Sequence, residues 1–358
     1  MSSLPGKKPL VIAALAAALA AYALGRAEPV DAHRAGRPAG HRVRSQGKPA
    51  RTAPAPRAAG DRRAAAPRPR GEVVARAPWG SGPGAVGRVV PTSGAPEGPA
   101  SFDVDAQGRV HVLDPVNGRL TIFEKGAAPR AIALPGETYR DFALDGHGGA
   151  VAMDSLATGT LTFVDATGRV THTIGLAGAG IPETGAATAL FARDDGVWVE
   201  VEHGALVRVS DASGAPDPAR TAVAGRFSRD GKRLLRAALA GPAAARVSAT
   251  ALAGGRGFET RVDFPLPLLA LHEVASDDAG RTYLAAATVR EDPATFEVVE
   301  EHETVVVLGE GGAELGRVEI AAHDGPEDPA HLVRVGADGA IYELVLGDDG
   351  LTIERFSR

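Results

Sequence analysis

Runs of alternating hydrophobic and polar residues recur along the sequence from about residue 97 onward, and short turns rich in Asp and Gly separate them. Alternation with a period of two is typical of strands with one buried face. Glycine tolerates a positive φ, and aspartate bonds to nearby backbone, so such turns favour hairpins. The pattern therefore predicts six antiparallel hairpins, with turns at Asp105–Gly108, Asp145–Gly148, Asp194–Gly196, Arg229–Gly231, Asp277–Gly280 and Ala337–Gly339.

The turns define a repeat. Gly108 and Gly339 lie 231 residues apart, which over five intervals is about 46 residues per unit, with individual spacings from 35 to 59. Most units continue into a third and a fourth strand-like run, as in Thr160–Val164 followed by Val170–Ile174. A repeat of this length with four strands is typical of a propeller blade. The sequence predicts an all-β fold, a six-bladed β-propeller over residues 85–358.

Three segments depart from the repeat. The sixth unit ends after its third strand, Leu351–Phe356, so we expect a strand upstream of the first unit, Ala85–Val90, to complete that blade. In the third unit the outer strand is expected at Pro216–Thr221, where two prolines suit only an edge. Arg290–Glu303 reads as a long acidic loop with six carboxylates, and long loops often carry function.

The first unit carries a family resemblance. Glu97–Glu124 (EGPASFDVDAQGRVHVLDPVNGRLTIFE) resembles an NHL repeat, with Pro before the inner strand, an Asp-x-x-Gly turn and a strand ending in Asp114. Asn117 and Arg119 follow at the family's spacing, whereas later units keep mainly the turn. The resemblance implies a six-bladed propeller that binds proteins or carbohydrates and occasionally nucleic acid, with catalysis in a minority of members.

The N-terminus has the features of an export signal. Lys7 and Lys8 precede an uncharged run, Pro9–Leu24, followed by small residues. At 1.5 Å per residue this run spans about 24 Å, shorter than the roughly 30 Å of a bilayer core. Residues 1–24 are therefore predicted to be a signal peptide or an uncleaved anchor helix. Export to the periplasm, the cell envelope or the medium is expected. The arginines that follow the run favour the alternative, a membrane anchor with a cytoplasmic propeller.

A basic linker is predicted between this segment and the propeller. Residues 25–84 consist largely of Pro, Ala, Arg and Gly, which bury too little surface to offset their ordering entropy, so we expect disorder. Residues 1–98 hold 16 Lys and Arg against 5 acidic residues, which leaves 23 basic and 39 acidic residues for 99–358. The linker is interpreted as a spacer; attraction to an anionic partner, or to the acidic body of another copy, stays open. Trp79 is the only Phe, Trp or Tyr in residues 25–84, so aromatic residues are not interleaved with the arginines for base stacking, which argues against nucleic acid.

Composition excludes several kinds of chemistry. The sequence has no cysteine, and therefore no disulfide, thiol nucleophile or Cys-ligated metal site. No motif supports a cofactor. The enzyme alternative is a metal-dependent lactonase or esterase of the gluconolactonase type, a similar propeller family that holds a divalent cation with carboxylates and Asn side chains from several blades. Asn117 is the only Asn in this sequence, which argues against that alternative.

Polar residues that enter the inner strands are expected to face the channel mouth, where converging titratable groups form ligand pockets. These candidate ligand-binding residues are Glu97, Arg140, Asp141, His272, Glu273 and His331. No catalytic residue is assigned, and the identity of a metal is left unknown. The sequence favours a non-catalytic binding or scaffold propeller of the cell envelope that recognises a protein or carbohydrate through its loop face.

Overall fold

A computed structural model describes residues 70–92, 96–295, 297–323 and 327–357. These residues form six four-stranded antiparallel sheets, so the fold is the predicted all-β six-bladed propeller. They all belong to one compact unit that spans residues 63–358. The predicted signal segment and the linker up to residue 69 lie outside the described residues. Within the described part, no helix is long and apolar enough to cross a membrane.

Each blade uses four strands, numbered along the chain after the N-terminal strand β1 (Glu72–Pro78). Blade one contains β2 (Ser101–Val104), β3 (Val110–Asp114), β4 (Arg119–Phe123) and β5 (Arg130–Ala133). Blade two contains β6 (Asp141–Leu144), β7 (Ala150–Asp154), β8 (Thr160–Val164) and β9 (Val170–Gly175). Blade three contains β10 (Ala187–Arg193), β11 (Gly196–Val201), β12 (Ala205–Arg208) and β13 (Ala222–Ala224).

Blade four contains β14 (Arg226–Phe227), β15 (Arg233–Gly241), β16 (Ala244–Ala251) and β17 (Phe258–Asp263). Blade five contains β18 (Leu268–Ser276), β19 (Thr282–Glu291), β20 (Val298–Leu308) and β21 (Glu314–Ile320). Blade six contains β22 (Val333–Val335), β23 (Ile341–Gly347) and β24 (Gly350–Phe356), completed by β1. Two short 3-10 helices, Pro115–Asn117 and Thr184–Ala186, join strands.

The core lies between neighbouring blades. Leu120 of blade one packs in one cluster with Phe142 of blade two, and Leu161 of blade two packs with Val199 of blade three. Middle strands are covered on both faces, and all five residues of β3 are buried. Outer strands such as β5 are mostly exposed. Burial on both faces favours the nearly continuous apolar runs of the middle strands, which is why the alternation is clearest at the blade edges.

The closing strand differs from the prediction. β1 pairs antiparallel with β24, so the ring is closed by a segment inside the predicted linker, and the propeller begins at β1 rather than at residue 85. Ala85–Val90 instead belongs to a loop fixed against blade one. Arg119 Nη2 donates to the carbonyl oxygen of Ala85 at 2.9 Å, and the carboxylate of Asp114 accepts from the backbone N–H of Gly87 at 3.0 Å.

Two further predictions about segments were wrong. The outer strand of blade three is Ala222–Ala224, after the two prolines of Pro216–Thr221, because proline cannot donate a ladder hydrogen bond. Arg290–Glu303 is mostly not a loop, since β19 and β20 extend into it as one long hairpin. Arg290 forms an ion pair with Glu300 across these two strands. Part of the acidic charge therefore supports strand pairing.

Candidate functional site

The inner strands bring equivalent repeat positions together at the central channel. The position concerned lies four residues before the turn in blades one, two, three and five, three before it in blade four and five before it in blade six. In chain order it is occupied by Ser101, Asp141, Leu190, Arg226, Glu273 and Leu332. Side chains in a strand alternate between two faces, so this position and the one two residues later share the channel side. Charged residues at three of the six positions make a polar centre. In blade six, His331 beside Leu332 supplies the polar group.

Asp141 connects four blades. Its Oδ1 accepts from the Ser101 hydroxyl at 2.7 Å, and its Oδ2 accepts from the backbone N–H of Leu190 at 2.8 Å. The same Oδ2 lies 3.2 Å from His331 Nε2. Blades one, two, three and six thus meet at one carboxylate. His331 crosses from blade six to blade two, past blade one, so this contact spans the channel.

Glu273 and Arg226 continue the network through the other blades. Glu273 Oε2 lies 3.3 Å from His331 Nδ1, and Glu273 Oε1 accepts from Arg226 Nη1. Arg226 also binds the carboxylate of Glu200 with two nitrogens, at 2.6 and 2.9 Å. This two-point geometry is the strongest form of an arginine–carboxylate contact. We call Ser101, Asp141, Glu200, Arg226, Glu273 and His331 the central ring.

Burial and mutual charge determine the protonation states in the central ring. Burial raises the pKa of Glu273, but the Arg226 guanidinium and the hydrogen bond with His331 outweigh it and lower that pKa to about 2. Burial raises the pKa of Asp141 as well, and the charge of His331 brings it below its usual value. Burial and Arg334 lower the pKa of His331, yet Asp141 and Glu273 raise it overall. The ring therefore consists of ionised carboxylates that hold a protonated imidazole.

Stability is expected to depend on pH in a way that reports on His331. A group whose folded pKa is raised stabilises the fold below its unfolded pKa, here 6.5, and loses that contribution as pH rises through the folded value. Glu273 acts in the opposite direction, and its contribution is lost as pH falls below 4.5 towards about 2. We expect the free energy of unfolding, measured by urea denaturation, to be greatest between pH 4.5 and 6.5.

The variant His331→Gln should flatten the alkaline side of that profile, because the raised pKa is lost. His302 is half exposed, at 46%, and His302→Gln is the matched control that should keep the wild-type profile. A wild-type free energy of unfolding that does not fall on the alkaline side of pH 6.5 would contradict the protonated state of His331.

The structure brings three of the six predicted site residues together and leaves three apart. Asp141, Glu273 and His331 belong to the central ring. Glu97 is exposed and forms a backbone bridge with Val89. Arg140 is exposed and lies 3.5 Å from the carbonyl oxygen of Asp328. His272 lies 3.4 Å from Glu303 and makes no contact within the central ring.

Sequence reasoning missed Glu200, Arg226 and Arg334. Aligning the six turns with a shift of one residue in blades four and six would have found Arg226, because it then occupies the same repeat position as Asp141 and Glu273. Arg334 could have been found in the same way, two positions later. Glu200 carries no such signal, since it lies on the middle strand β11 and joins the central ring through the long side chain of Arg226.

A cavity of about 470 Å³ opens at the end of the channel where the inner strands run into their turns. We call this end the turn mouth. The six residues two positions after the ring position all line it, namely Asp103, Ala143, Ala192, Ser228, Ala275 and Arg334. Four of them are small, which leaves space over the ring. Arg226 and Glu273 line both this cavity and a smaller one of about 110 Å³ between blades three, four and five, which His272 also lines.

The residues present do not fit the cation centre of the lactonase alternative. Each ring carboxylate already faces a positive partner, and a divalent cation there would be repelled by the guanidinium of Arg226. Asn117 points elsewhere, because its side-chain nitrogen donates to Asp114 at 2.7 Å and to the carbonyl oxygen of Gly80 at 3.0 Å. Among the described residues, no group of three or more His, Asp or Glu side chains is arranged to hold a metal ion.

No family model and no curated protein sequence matches this chain. Solved structures do resemble it. A catalytically inactive form of virginiamycin B lyase from Staphylococcus aureus with quinupristin is 11% identical, covers 75% of this chain and 83% of that chain, and has a TM-score of 0.41. A DUF4221 family member from Bacteroides vulgatus is 10% identical, with coverages of 80% and 94% and a TM-score of 0.45.

A gluconolactonase-like protein is 16% identical, with coverages of 72% and 88% and a TM-score of 0.39. The similarity is one of fold. At these identities none of the activities in those names is carried over to this chain, and the residues of its own channel are the basis for a function.

Proposed function

We propose that this protein is a non-catalytic binding propeller of the cell envelope that takes part of a protein or carbohydrate partner into the cavity at the turn mouth. The observation that carries the proposal is the layer of small residues above the central ring. Ala143, Ala192, Ser228 and Ala275 leave about 470 Å³ at the turn mouth. Ligand sites for small molecules commonly have volumes of about 300 to 1,000 Å³.

The chemistry of the central ring supports binding over hydrolysis. A general base or nucleophile must reach the substrate with a free lone pair. Glu273 and Asp141 are buried and ionised, and their oxygens already accept from Arg226, His331 and Ser101. A ring paired in this way stabilises the channel and orients its walls. It supplies little reactivity to a ligand in the cavity.

The location in the cell envelope rests on the sequence alone. Lys7 and Lys8 before the apolar run Pro9–Leu24 support export, and a linker of small and basic residues would hold the propeller away from a membrane or leave it soluble after cleavage. N-terminal sequencing of the mature native protein tests this part of the proposal. A mature N-terminus shortly after residue 24 supports a cleaved signal, and recovery of intact protein in the cytosol contradicts export.

Filling the cavity should abolish ligand binding without unfolding the propeller. Ala192→Leu combined with Ala275→Leu places two larger side chains in the layer above the ring. A ligand at a hundred times its Kd stabilises the protein by about 2.7 kcal/mol, which for a domain of this size raises Tm by about 4–5 °C. We expect some members of a panel of sugars and short peptides to give such a shift with the wild type and none with the filled variant.

Ala131→Leu is the matched control, because Ala131 is exposed on the outer strand β5. It should respond to the panel as the wild type does. Two results would contradict the proposal: a panel in which every shift is the same in the filled variant, and mass spectrometry that finds a stabilising compound converted to product.

A further inference from the structure

The guanidinium of Arg334 can donate more hydrogen bonds than it makes to the described residues. Its Nε donates to the carbonyl oxygen of Phe102 at 3.0 Å, which fixes the direction of the side chain. Within the part of the chain that the structure describes, neither terminal nitrogen donates a hydrogen bond. The ion-pair contact made by a terminal nitrogen is the one from Nη1 to Glu273 Oε2, which is long, at 4.0 Å. Arg334 lines the cavity and is held by packing, with a side chain only 12% exposed. It is therefore a preorganised donor aimed at a ligand.

Two more arginines stand nearer the opening. Arg193 and Arg229 occupy the repeat position after the layer of small residues, on adjacent blades, and both line the cavity. The Arg193 guanidinium lies 3.9 Å from the centre of the Phe227 ring. The carboxylate partners of these two arginines, Asp195 and Asp278, are 45% and 68% exposed. Exposed ion pairs contribute little, so both guanidinium groups can turn towards an incoming anion.

The carboxylates near Arg334 limit the charge of that anion. Glu273 is offset by Arg226 and His331, whereas Asp103 Oδ1 lies 3.9 Å from Arg334 Nε and is 30% exposed. A monoanion neutralises the single charge of Arg334, whereas a dianion such as phosphate would leave one negative charge uncompensated beside Asp103. The site therefore favours a single carboxylate, whose planar geometry also matches the guanidinium.

The other residues that line the cavity suit a ligand that carries hydroxyl groups. Asp103 Oδ1 accepts from the backbone N–H of Val104, and Asp103 also lines the cavity, where its carboxylate can accept from a ligand hydroxyl. Ser228 and Ser276 line the cavity as well, and Phe191 is a half-buried apolar surface in its wall. Hydroxyl acceptors, an arginine and an apolar ring face form a lining suited to a sugar ring that carries an acid group.

We infer that the cavity at the turn mouth binds an acidic sugar residue, with the carboxylate of the sugar on Arg334 and its hydroxyls near Asp103. This inference rests on the proposed function and names its ligand class. Arg193 and Arg229 attract the acid group at the opening. The central ring closes the inner end of the cavity and limits how deeply the sugar enters. Neutral sugars and phosphates lack the group that Arg334 recognises or carry too much charge.

The test compares sodium D-glucuronate with D-glucose, which lacks the carboxylate, by isothermal titration calorimetry on the full mature protein. We expect glucuronate to bind and glucose to bind at least about tenfold more weakly, because only glucuronate offers a charge-assisted contact. Arg334→Gln should weaken glucuronate binding by about tenfold or more, and Arg334→Lys should retain part of it as a point charge. Arg256→Gln, at an exposed hairpin, is the matched control and should bind as the wild type does.

Melting curves of each variant establish that it is folded, and Arg334→Lys keeps the test decisive if Arg334→Gln does not fold. The inference is overturned if folded wild type fails to bind glucuronate at about 10 mM. It is also overturned if both Arg334 variants bind glucuronate as the wild type does. If glucose or a peptide binds the wild type at least as tightly as glucuronate does, and does not bind the filled variant, the acidic-sugar inference is overturned and the proposed function stands. If every ligand that binds the wild type also binds the filled variant equally well, both the acidic-sugar inference and the proposed function are overturned.

Discussion

Replacing Arg226 with Leu is expected to lower the free energy of unfolding by about 3–5 kcal/mol, the usual result of removing one partner from a buried ion pair. The Arg226 side chain is 9% exposed and contacts two buried carboxylates, those of Glu200 and Glu273. Without it, both carboxylates lose their strongest positive partner while remaining out of water. Urea denaturation followed by circular dichroism measures the loss, and the slope of the transition shows whether the unfolding stays two-state.

The cause can be separated from a simple loss of packing. If unpaired charge is responsible, adding Glu200→Gln and Glu273→Gln to Arg226→Leu should recover part of the stability, since neutral amides are easier to bury than carboxylates. Arg256→Leu is the surface control and should change stability by no more than about 0.5 kcal/mol. A loss below about 1 kcal/mol in Arg226→Leu would show that the central ring does not hold the blades together.

Removing the closing strand β1 should lower the stability of the propeller even more than Arg226→Leu does. A chain that begins at residue 80 lacks β1, so β24 loses its antiparallel partner and becomes an exposed edge. Buried Ala75 and Ala77, which pack with Leu351 and Ile353, are lost with it. We expect this chain to aggregate or to unfold without a cooperative transition, and a chain that begins at residue 70 to melt like the full protein. Calorimetry and size-exclusion chromatography distinguish these outcomes.

A point variant tests the same contact without truncation. Gly350 pairs with Pro78 and has φ +144°, and a Cβ at this position would lie 2.0 Å from the backbone oxygen of Ala77. Gly350→Ala should therefore displace the end of β1 and lower Tm, whereas Gly311→Ala, with open space around its Cβ position, should not. A chain from residue 80 that melts cooperatively at the wild-type temperature would show that another segment closes the ring.

The number of blades could be predicted because each blade repeats the same local sequence pattern of alternating strands and Asp/Gly turns. Six Asp/Gly turns between alternating runs are short-range signals, and strands such as Thr160–Val164 lie where the pattern placed them. Strand ends were less predictable, since hydrophobic alternation does not show how far a ladder extends. The hairpin of β19 and β20 illustrates this, because cross-strand ion pairs such as Arg290 with Glu300 let charged residues continue a sheet.

The identity of the closing strand could not be derived from the alternation. Glu72–Pro78 and Ala85–Val90 are both short segments with two or three valines upstream of the first repeat, and either has the length to pair with β24. The choice depends on contacts remote in sequence. Arg119 and Asp114 hold the second segment against blade one, and Arg88 forms an ion pair with buried Glu327, so only the first segment is free to complete blade six.

The sequence by itself determined the architecture of this protein, because the repeat length and the turn chemistry are local properties that each unit expresses independently. It also indicated polar residues at the starts of the inner strands. Only the tertiary structure decided which of them meet. Closing the ring brings Asp141, Arg226, Glu273 and His331 to one axis from four blades, and their charges satisfy each other there. It also stacks four small residues over them, and the resulting cavity with Arg334 in its wall exists only once all six blades are in place.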